Sequence, residues 1–339
     1  MSQDRGEVLA SFVDRVALPM MKALRTEAED LAGALEAFAT KPSGEALSAA
    51  RARWSSARGA FRRTDAFGIG PADDIAVTGG ILDEPTDLAK LTALAATSPP
   101  PDLPRVQSSP ASTRGFLAIE ALLFEVGTAD EVLLARFTDP TEGPGRCALT
   151  AALGADLRGK LTAVADAWTA GNFGEQLRTA GKGSTTFRAQ RDAFDLLLNR
   201  TLFVADRMLN IARKSSGLTK NDPATPTTDR SDRTLSDLAD DLTGIEAVYT
   251  GVWEGQGGPS IGAIVAEENK GADQAMRVAI TGARAALEAF APPLREAVAA
   301  RAAEVDALLQ GMRPVRRTLA TEVFNALGIS VGISDKDGD

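Results

Sequence analysis

The chain has 339 residues, of which 44% are hydrophobic and 24% charged, and 46 acidic against 37 basic side chains give a net charge of −9. It contains no histidine, which excludes Ser-His-Asp and Cys-His triads, H-E-x-x-H zinc sites and His-ligated haem, because each of these needs an imidazole. The acidic balance argues against a nucleic-acid partner, and the length accommodates about two compact domains.

Two long helices are predicted in the first part of the chain. Apolar side chains recur at helical spacing over residues 5–40, and Pro19 predicts a kink there because it has no amide hydrogen. The second helix covers residues 43–67 and ends at the Gly-Ile-Gly-Pro sequence that follows. Its arginines indicate a helix face that is solvated or directed towards a pocket: Arg51, Arg53, Arg58, Arg62 and Arg63.

The rest of the chain also has helical periodicity. A short helix is expected near residues 85–96, followed by an extended proline-rich connector over residues 98–104. Ser109 and Pro110 have the chemistry of an N-cap and a first helical position, so the next helix is expected to begin there and to continue to Glu125. The later helical segments are 146–170, 184–215, 234–252, 260–290 and 293–326.

The lack of long alternating segments predicts an all-α fold. A polar segment begins at residue 216, and we place a boundary there between an N-terminal helical bundle, residues 1–215, and a C-terminal bundle, residues 216–339. A faint similarity between Arg53–Phe61 and Leu238–Trp253 is compatible with two bundles of related layout, although Ala-, Leu- and Arg-rich helices resemble one another by composition alone. The first or last long helix is expected to cross between the bundles.

Glu120 is the most informative charged residue. Phe116 and Phe124 lie one helical turn on either side of it, so its carboxylate projects from an apolar face. A buried carboxylate must be paired, protonated or bound to something. Two interpretations remain: an acid that contacts a ligand in a pocket, or a boundary residue held by an arginine such as Arg58 or Arg114.

The segment around Glu120 resembles the signature region of the imelysin family. Residues 115–124 read Gly-Phe-Leu-Ala-Ile-Glu-Ala-Leu-Leu-Phe, similar to the family's G-F-H-A-I-E-x-L-L-F, which contains the motif G-x-H-x-x-E. Other stretches in family order extend the resemblance over essentially the whole chain: Trp54–Arg58, Phe67–Pro71, Asp229–Tyr249 and Leu327–Asp339.

The resemblance implies an extracytoplasmic protein built from two helical bundles. The family includes iron-regulated proteins, components of bacterial iron uptake and a protein described as an insulin-cleaving peptidase. The motif's Gly and Glu correspond to Gly115 and Glu120, but Leu117 stands at the position of its His. Because a peptidase zinc needs about three protein ligands, usually including His, this chain is a poor candidate for proteolysis.

We therefore expect a non-catalytic binding protein with a link to iron or haem acquisition, whose ligand lies in a cleft between the bundles around Glu120. The expected ligand is a small polar or charged molecule or a metal. No cofactor is assigned, although iron or another divalent cation is compatible with the acidic residues. The candidate ligand-binding residues are Glu120, Gly115, Leu117, Arg114, Ser109, Arg58, Trp54, Asp229 and Arg230.

Two alternatives stay open, a metallopeptidase-like enzyme of the same family and a degenerate scaffold paralogue. The sequence has no apolar run long enough to span a bilayer and no signal-peptide pattern at its start. The resemblance nevertheless implies a periplasmic or outer-membrane-anchored protein whose leader is absent from this chain. It also implies a membrane-associated iron-uptake system as partner.

Overall fold

The computed structural model describes residues 4–78, 80–81, 86–215, 230–290, 294 and 302–332. Within these ranges the protein consists of helices and connecting segments and has no β-strand, which confirms the predicted all-α fold. None of the helices in the described part of the chain is both long enough and apolar enough to cross a membrane.

A long helical rod at the N-terminus forms the centre of the first half. It comprises α1 (Arg5–Phe12), a π-helical turn (Val13–Ala17) and α2 (Leu18–Thr40). The π-helical turn lies directly before Pro19, at the position of the predicted kink. Leu18 there donates its N–H to the carbonyl of Val13, so the wider turn accommodates the missing amide of the proline without ending the rod.

The next helices pack against this rod or against one another. Helix α2 packs against both α3 (Gly44–Asp65) and α9 (Gly143–Trp168), and the tryptophans of these two helices are fully buried in the common core. The bounds of these helices are α3 Gly44–Asp65, α4 Pro71–Thr78, α5 Leu88–Ala95, α6 Leu103–Gln107, α7 Gly115–Leu123, α8 Asp130–Thr138, α9 Gly143–Trp168 and α10 Phe173–Arg178.

The helix predicted to begin at Ser109 begins instead at Gly115. The Ser109 hydroxyl donates to the carbonyl of Val106, 2.7 Å away, and so closes the preceding α6 rather than opening a new helix. A single 3₁₀ turn, Ala111–Thr113, follows before α7 starts. Helix α7 is therefore short, and the motif residues lie in its first two turns.

The second half contains a further set of helices. The stretch predicted as one helix over 260–290 is divided at Asn269, whose side chain accepts the N–H of Ala272 at 3.2 Å and caps a new helix. The bounds are α11 Gln190–Ser215, α12 Thr234–Thr250, α13 Ile261–Glu268, α14 Lys270–Ala289, α15 Ala302–Thr318, a π-helical turn Leu319–Val323 and α16 Phe324–Leu327.

Helix α12 connects the two halves of the sequence. It packs against α3 from the first half and against α11 and α14 from the second. The proposed boundary at residue 216 coincides with the end of α11. The division of the chain into two bundles at this point stays a prediction.

Candidate functional site

Glu120 is buried on α7, with only 2% of the residue exposed. Its carboxylate accepts two hydrogen bonds from Ser231, one from the backbone N–H at 2.9 Å and one from the hydroxyl at 2.6 Å. Ser231 lies 111 residues further along the chain, just before α12. The carboxylate thus ties α7 to the entrance of α12.

Burial raises the pKa of Glu120 to about 7. The hydrogen bonds from Ser231 and the positive charge of Arg58 oppose this rise, whereas the negative charge of Asp237 adds to it. Both the protonated and the ionised forms of Glu120 are consequently populated near neutral pH.

Gly115 and Trp54 fix the position of α7. Gly115 has a φ of +74°, and a Cβ there would lie 2.4 Å from the carbonyl oxygen of Gly80, so only glycine fits without movement of the backbone. The indole N–H of Trp54 donates to the carbonyl of Phe116 at 3.0 Å. These two predicted site residues act on the helix that carries Glu120 rather than on a ligand.

Arg58 and Arg62, on α3, are buried and paired with α12. Arg58 lies 3.1 Å from the carboxylate of Asp237, and Arg62 makes the equivalent pair with Asp241 one turn further on. The prediction of a solvated or pocket-facing arginine face is therefore wrong for these two residues. Their carboxylate partners are on another helix and satisfy their charge inside the protein.

The ion pairs of Arg62 and Asp241 continue into α11. Arg207 binds both Asp65 and Asp241, and Arg200 also binds Asp65. Burial by itself would raise the pKa of Asp65, but Arg200 and Arg207 together lower it below the ordinary value. This network joins α3, α11 and α12. Arg58 and Asp237, whose charges act on the pKa of Glu120, belong to a second set of ion pairs that includes Arg233.

Arg58 does not hydrogen-bond to Glu120 in the structure; its Nε donates to Asp237 at 3.1 Å. Its guanidinium lies over the ring of Phe116 at 5.3 Å and pairs with Asp237. Arg114, the other arginine considered as a partner for Glu120, donates to the carbonyl of Gln107 at 3.0 Å. The role expected of an arginine at Glu120 is filled by Ser231.

The remaining predicted site residues are dispersed. Leu117 lies on α7 and is buried, with 7% of the residue exposed, and the Ser109 hydroxyl donates a hydrogen bond to the nearby carbonyl of Val106. Asp229 lies outside the described residues. Arg230 precedes Ser231 directly and lines a cavity on another side of α7.

That cavity has a volume of about 550 Å³ and lies among α5, α7, α8 and the beginning of α9. Ala121 and Leu122 of α7 and Glu125, just beyond its end, line one side of the cavity, whereas Glu120 is not one of its lining residues. The cleft predicted around Glu120 itself is thus not confirmed, and the described cavity lies beside the motif instead.

The residues present do not fit a metal ion at the motif. The family His position is Leu117, and no group of three His, Cys, Asp or Glu side chains in the described ranges is placed to hold a metal. Glu120 alone, already bonded to Ser231, offers one carboxylate where a protein zinc site needs about three ligands.

Sequence reasoning missed Ser231 and the aspartates of α12. A signal for the latter exists, since Arg58 and Arg62 are one helical turn apart and so are Asp237 and Asp241. This spacing indicates a ladder of ion pairs only once α3 and α12 are known to pack together. For Ser231 no local pattern was available.

The structure defines a site in which a buried carboxylate on a short helix is hydrogen-bonded to the segment just before a long helix. The surrounding fold is all-α. The sequence model of the imelysin family, a group named as peptidases, matches residues 17–319. The chain belongs to the imelysin family.

Among curated proteins, the chain is similar to iron-regulated protein A of Synechococcus elongatus, with 33% identity over 119 residues. The match covers 35% of this chain and about a third, 32%, of the length of that relative.

Two solved structures share the fold. One, from Parabacteroides distasonis, is described as an iron-regulated protein A precursor; it has 19% identity and a TM-score of 0.80, and the match covers 96% of this chain and 95% of that one. The other is an imelysin-like protein from Psychrobacter arcticum, with 16% identity, a TM-score of 0.74 and 96% coverage of both chains. These matches confirm the architecture.

Proposed function

We propose that this chain is a non-catalytic binding protein of the imelysin type that serves iron acquisition outside the cytoplasm. The main support for the proposal is the structural role of the motif residues. Glu120 accepts two hydrogen bonds from Ser231, and Leu117 occupies the position of the motif His. The motif therefore joins two parts of the fold instead of presenting ligands to a metal.

The donor set argues against the peptidase alternative. A catalytic zinc takes three protein ligands and leaves one position open for water or substrate. The chain has no His, and the described residues bring no three suitable donors together. Cys147 is a poor nucleophile because burial raises its pKa.

The link to iron rests on relatives. The curated relative is named iron-regulated protein A, and one structural neighbour is described as a precursor of such a protein. A ligand-sized cavity beside the motif supplies a place for binding. From family membership we further propose a location in the periplasm or at the outer membrane. The proposed partner is a membrane-associated uptake system.

Metal analysis combined with a cleavage assay tests the proposal. The purified protein is incubated with zinc or ferrous iron, separated from free metal and analysed for bound metal, and insulin B chain is offered as substrate with and without a chelator. We expect neither stoichiometric metal nor chelator-sensitive cleavage. Tightly held metal together with chelator-sensitive cleavage would overturn the proposal in favour of a metallopeptidase.

A further inference from the structure

The cavity beside α7 combines an apolar wall with a cluster of cations. We propose that it binds an amphipathic organic anion, in which one negatively charged head group is joined to an apolar chain and contacts Arg230. The inference deepens the proposed binding function and rests on it. The volume of about 550 Å³ lies in the range of ordinary small-molecule pockets, roughly 300–1,000 Å³.

The apolar part of the cavity is formed by leucines from three helices. Leu91 of α5, Leu122 of α7 and Leu133 of α8 line it and are all at least nine-tenths buried. Leu88 also lines it and is 44% exposed. A hydrocarbon chain lying against these side chains would remove apolar surface from water on both partners, which favours binding.

The charged side chains that line the cavity, counted over the described part of the chain, have a net positive charge. Arg136 pairs with Glu125 at 2.8 Å, and Arg146 faces Glu142 at 3.8 Å, so each of these arginines has a carboxylate nearby. Arg230 has no ion-pair partner among the residues that the structure describes. Among the lining residues that the structure describes, three arginines against two glutamates leave one positive charge, which matches one anionic head group.

The backbone next to Arg230 is held by Glu120. Because Ser231 bonds to Glu120 through both its N–H and its hydroxyl, the residue directly before it is fixed relative to α7, one wall of the cavity. Glu120 thus acts as a positioning residue for Arg230. This arrangement gives the buried motif carboxylate a role in binding without contact to the ligand.

Calorimetric titration with octanoate, octanol and octylammonium tests the proposal, since the three probes share one chain and differ in head-group charge. We expect octanoate to bind and the other two to bind at least about tenfold more weakly, because a charge-assisted hydrogen bond to an arginine is among the stronger polar contacts. Octanol or octylammonium binding as tightly as octanoate would overturn the proposal, and so would a folded protein that binds no octanoate.

Arg230→Gln provides the residue-level test, with Arg188→Gln as the matched control on an exposed position away from the cavity lining. We expect Arg230→Gln to weaken octanoate binding at least about tenfold and to leave octanol binding unchanged, whereas Arg188→Gln changes neither. Equal octanoate affinity in Arg230→Gln and the unsubstituted protein would contradict the assignment. Chelator-sensitive peptide cleavage, in contrast, would contradict the proposed non-catalytic function but would not change the outcome expected in these titrations.

Discussion

Arg62 and Asp241 form an ion pair in which the two side chains are only 3% and 0% exposed. Asp241 also receives Arg207 at 3.0 Å, so the pair is part of a larger buried network. Removing one member of such a pair leaves a charge in a low-dielectric interior with less compensation, whereas exposed pairs contribute little.

The first prediction compares Arg62→Met with Arg316→Met. Arg62→Met is expected to lower the free energy of unfolding by about 3 kcal/mol, because Asp241 keeps only Arg207. Arg316 pairs with Asp206 at 2.7 Å with both side chains more than 40% exposed, so Arg316→Met should cost less than about 1 kcal/mol. Urea denaturation of both variants measures the difference. Equal losses in the free energy of unfolding would show that the buried ion pair contributes no more to stability than the exposed one.

The second prediction concerns pH and Glu120. Its pKa is raised from 4.5 to about 7 in the folded protein, so the folded state binds one more proton than the unfolded state between these values. The contribution of Glu120 to stability is therefore present below pH 4.5 and is lost as the pH rises to about 7, a loss of about 3 kcal/mol.

Glu120→Gln removes this titration while keeping an oxygen that can accept from Ser231. We expect the stability of the variant, relative to the unsubstituted protein, to increase from pH 4.5 to pH 7 and then to stay level. Ser231→Ala should move the upper end of the transition to higher pH, because it removes a hydrogen bond that favours the carboxylate. Parallel stability curves for Glu120→Gln and the unsubstituted protein would refute the raised pKa.

The third prediction tests the start of α7. Gly115→Ala should destabilise the protein by at least about 2 kcal/mol, because alanine there has an unfavourable positive φ and meets the carbonyl of Gly80. Gly33→Ala is the matched control, since Gly33 lies exposed within α2 with nothing near its would-be Cβ. That control should stabilise by about 0.5–1 kcal/mol. Thermal unfolding in which both substitutions stabilise would show that Gly115 is not constrained.

The fourth prediction concerns the missing motif ligand. Leu117→His places a nitrogen donor one helical turn before Glu120, so a weak two-ligand zinc site should appear. We expect zinc to raise the Tm of Leu117→His but not that of the unsubstituted protein. It should not raise the Tm of Leu117→Gln either, because glutamine is polar like histidine but is a much poorer ligand for zinc. An equal rise for all three proteins would mean that zinc binds elsewhere.

Much of the fold followed from residue spacing, since the long helices bury their apolar stripes where the sequence predicts them. The burial of Glu120 could also be expected from the phenylalanines around it. Its partner could not, because Ser231 approaches it through a tertiary contact that no local pattern encodes. The same limit applies to Arg58 and Arg62, which resemble a solvated helix face until α12 is packed against α3.

The most direct test of the central claim is anomalous diffraction at the zinc absorption edge from crystals soaked in zinc. Glu120 is held by Ser231, and the described residues place no group of three metal ligands at it, so we expect no anomalous peak within coordinating distance of its carboxylate. A fully occupied zinc ion bound to Glu120, with Ser231 displaced from it, would contradict the assignment of the motif to a binding protein without a catalytic metal.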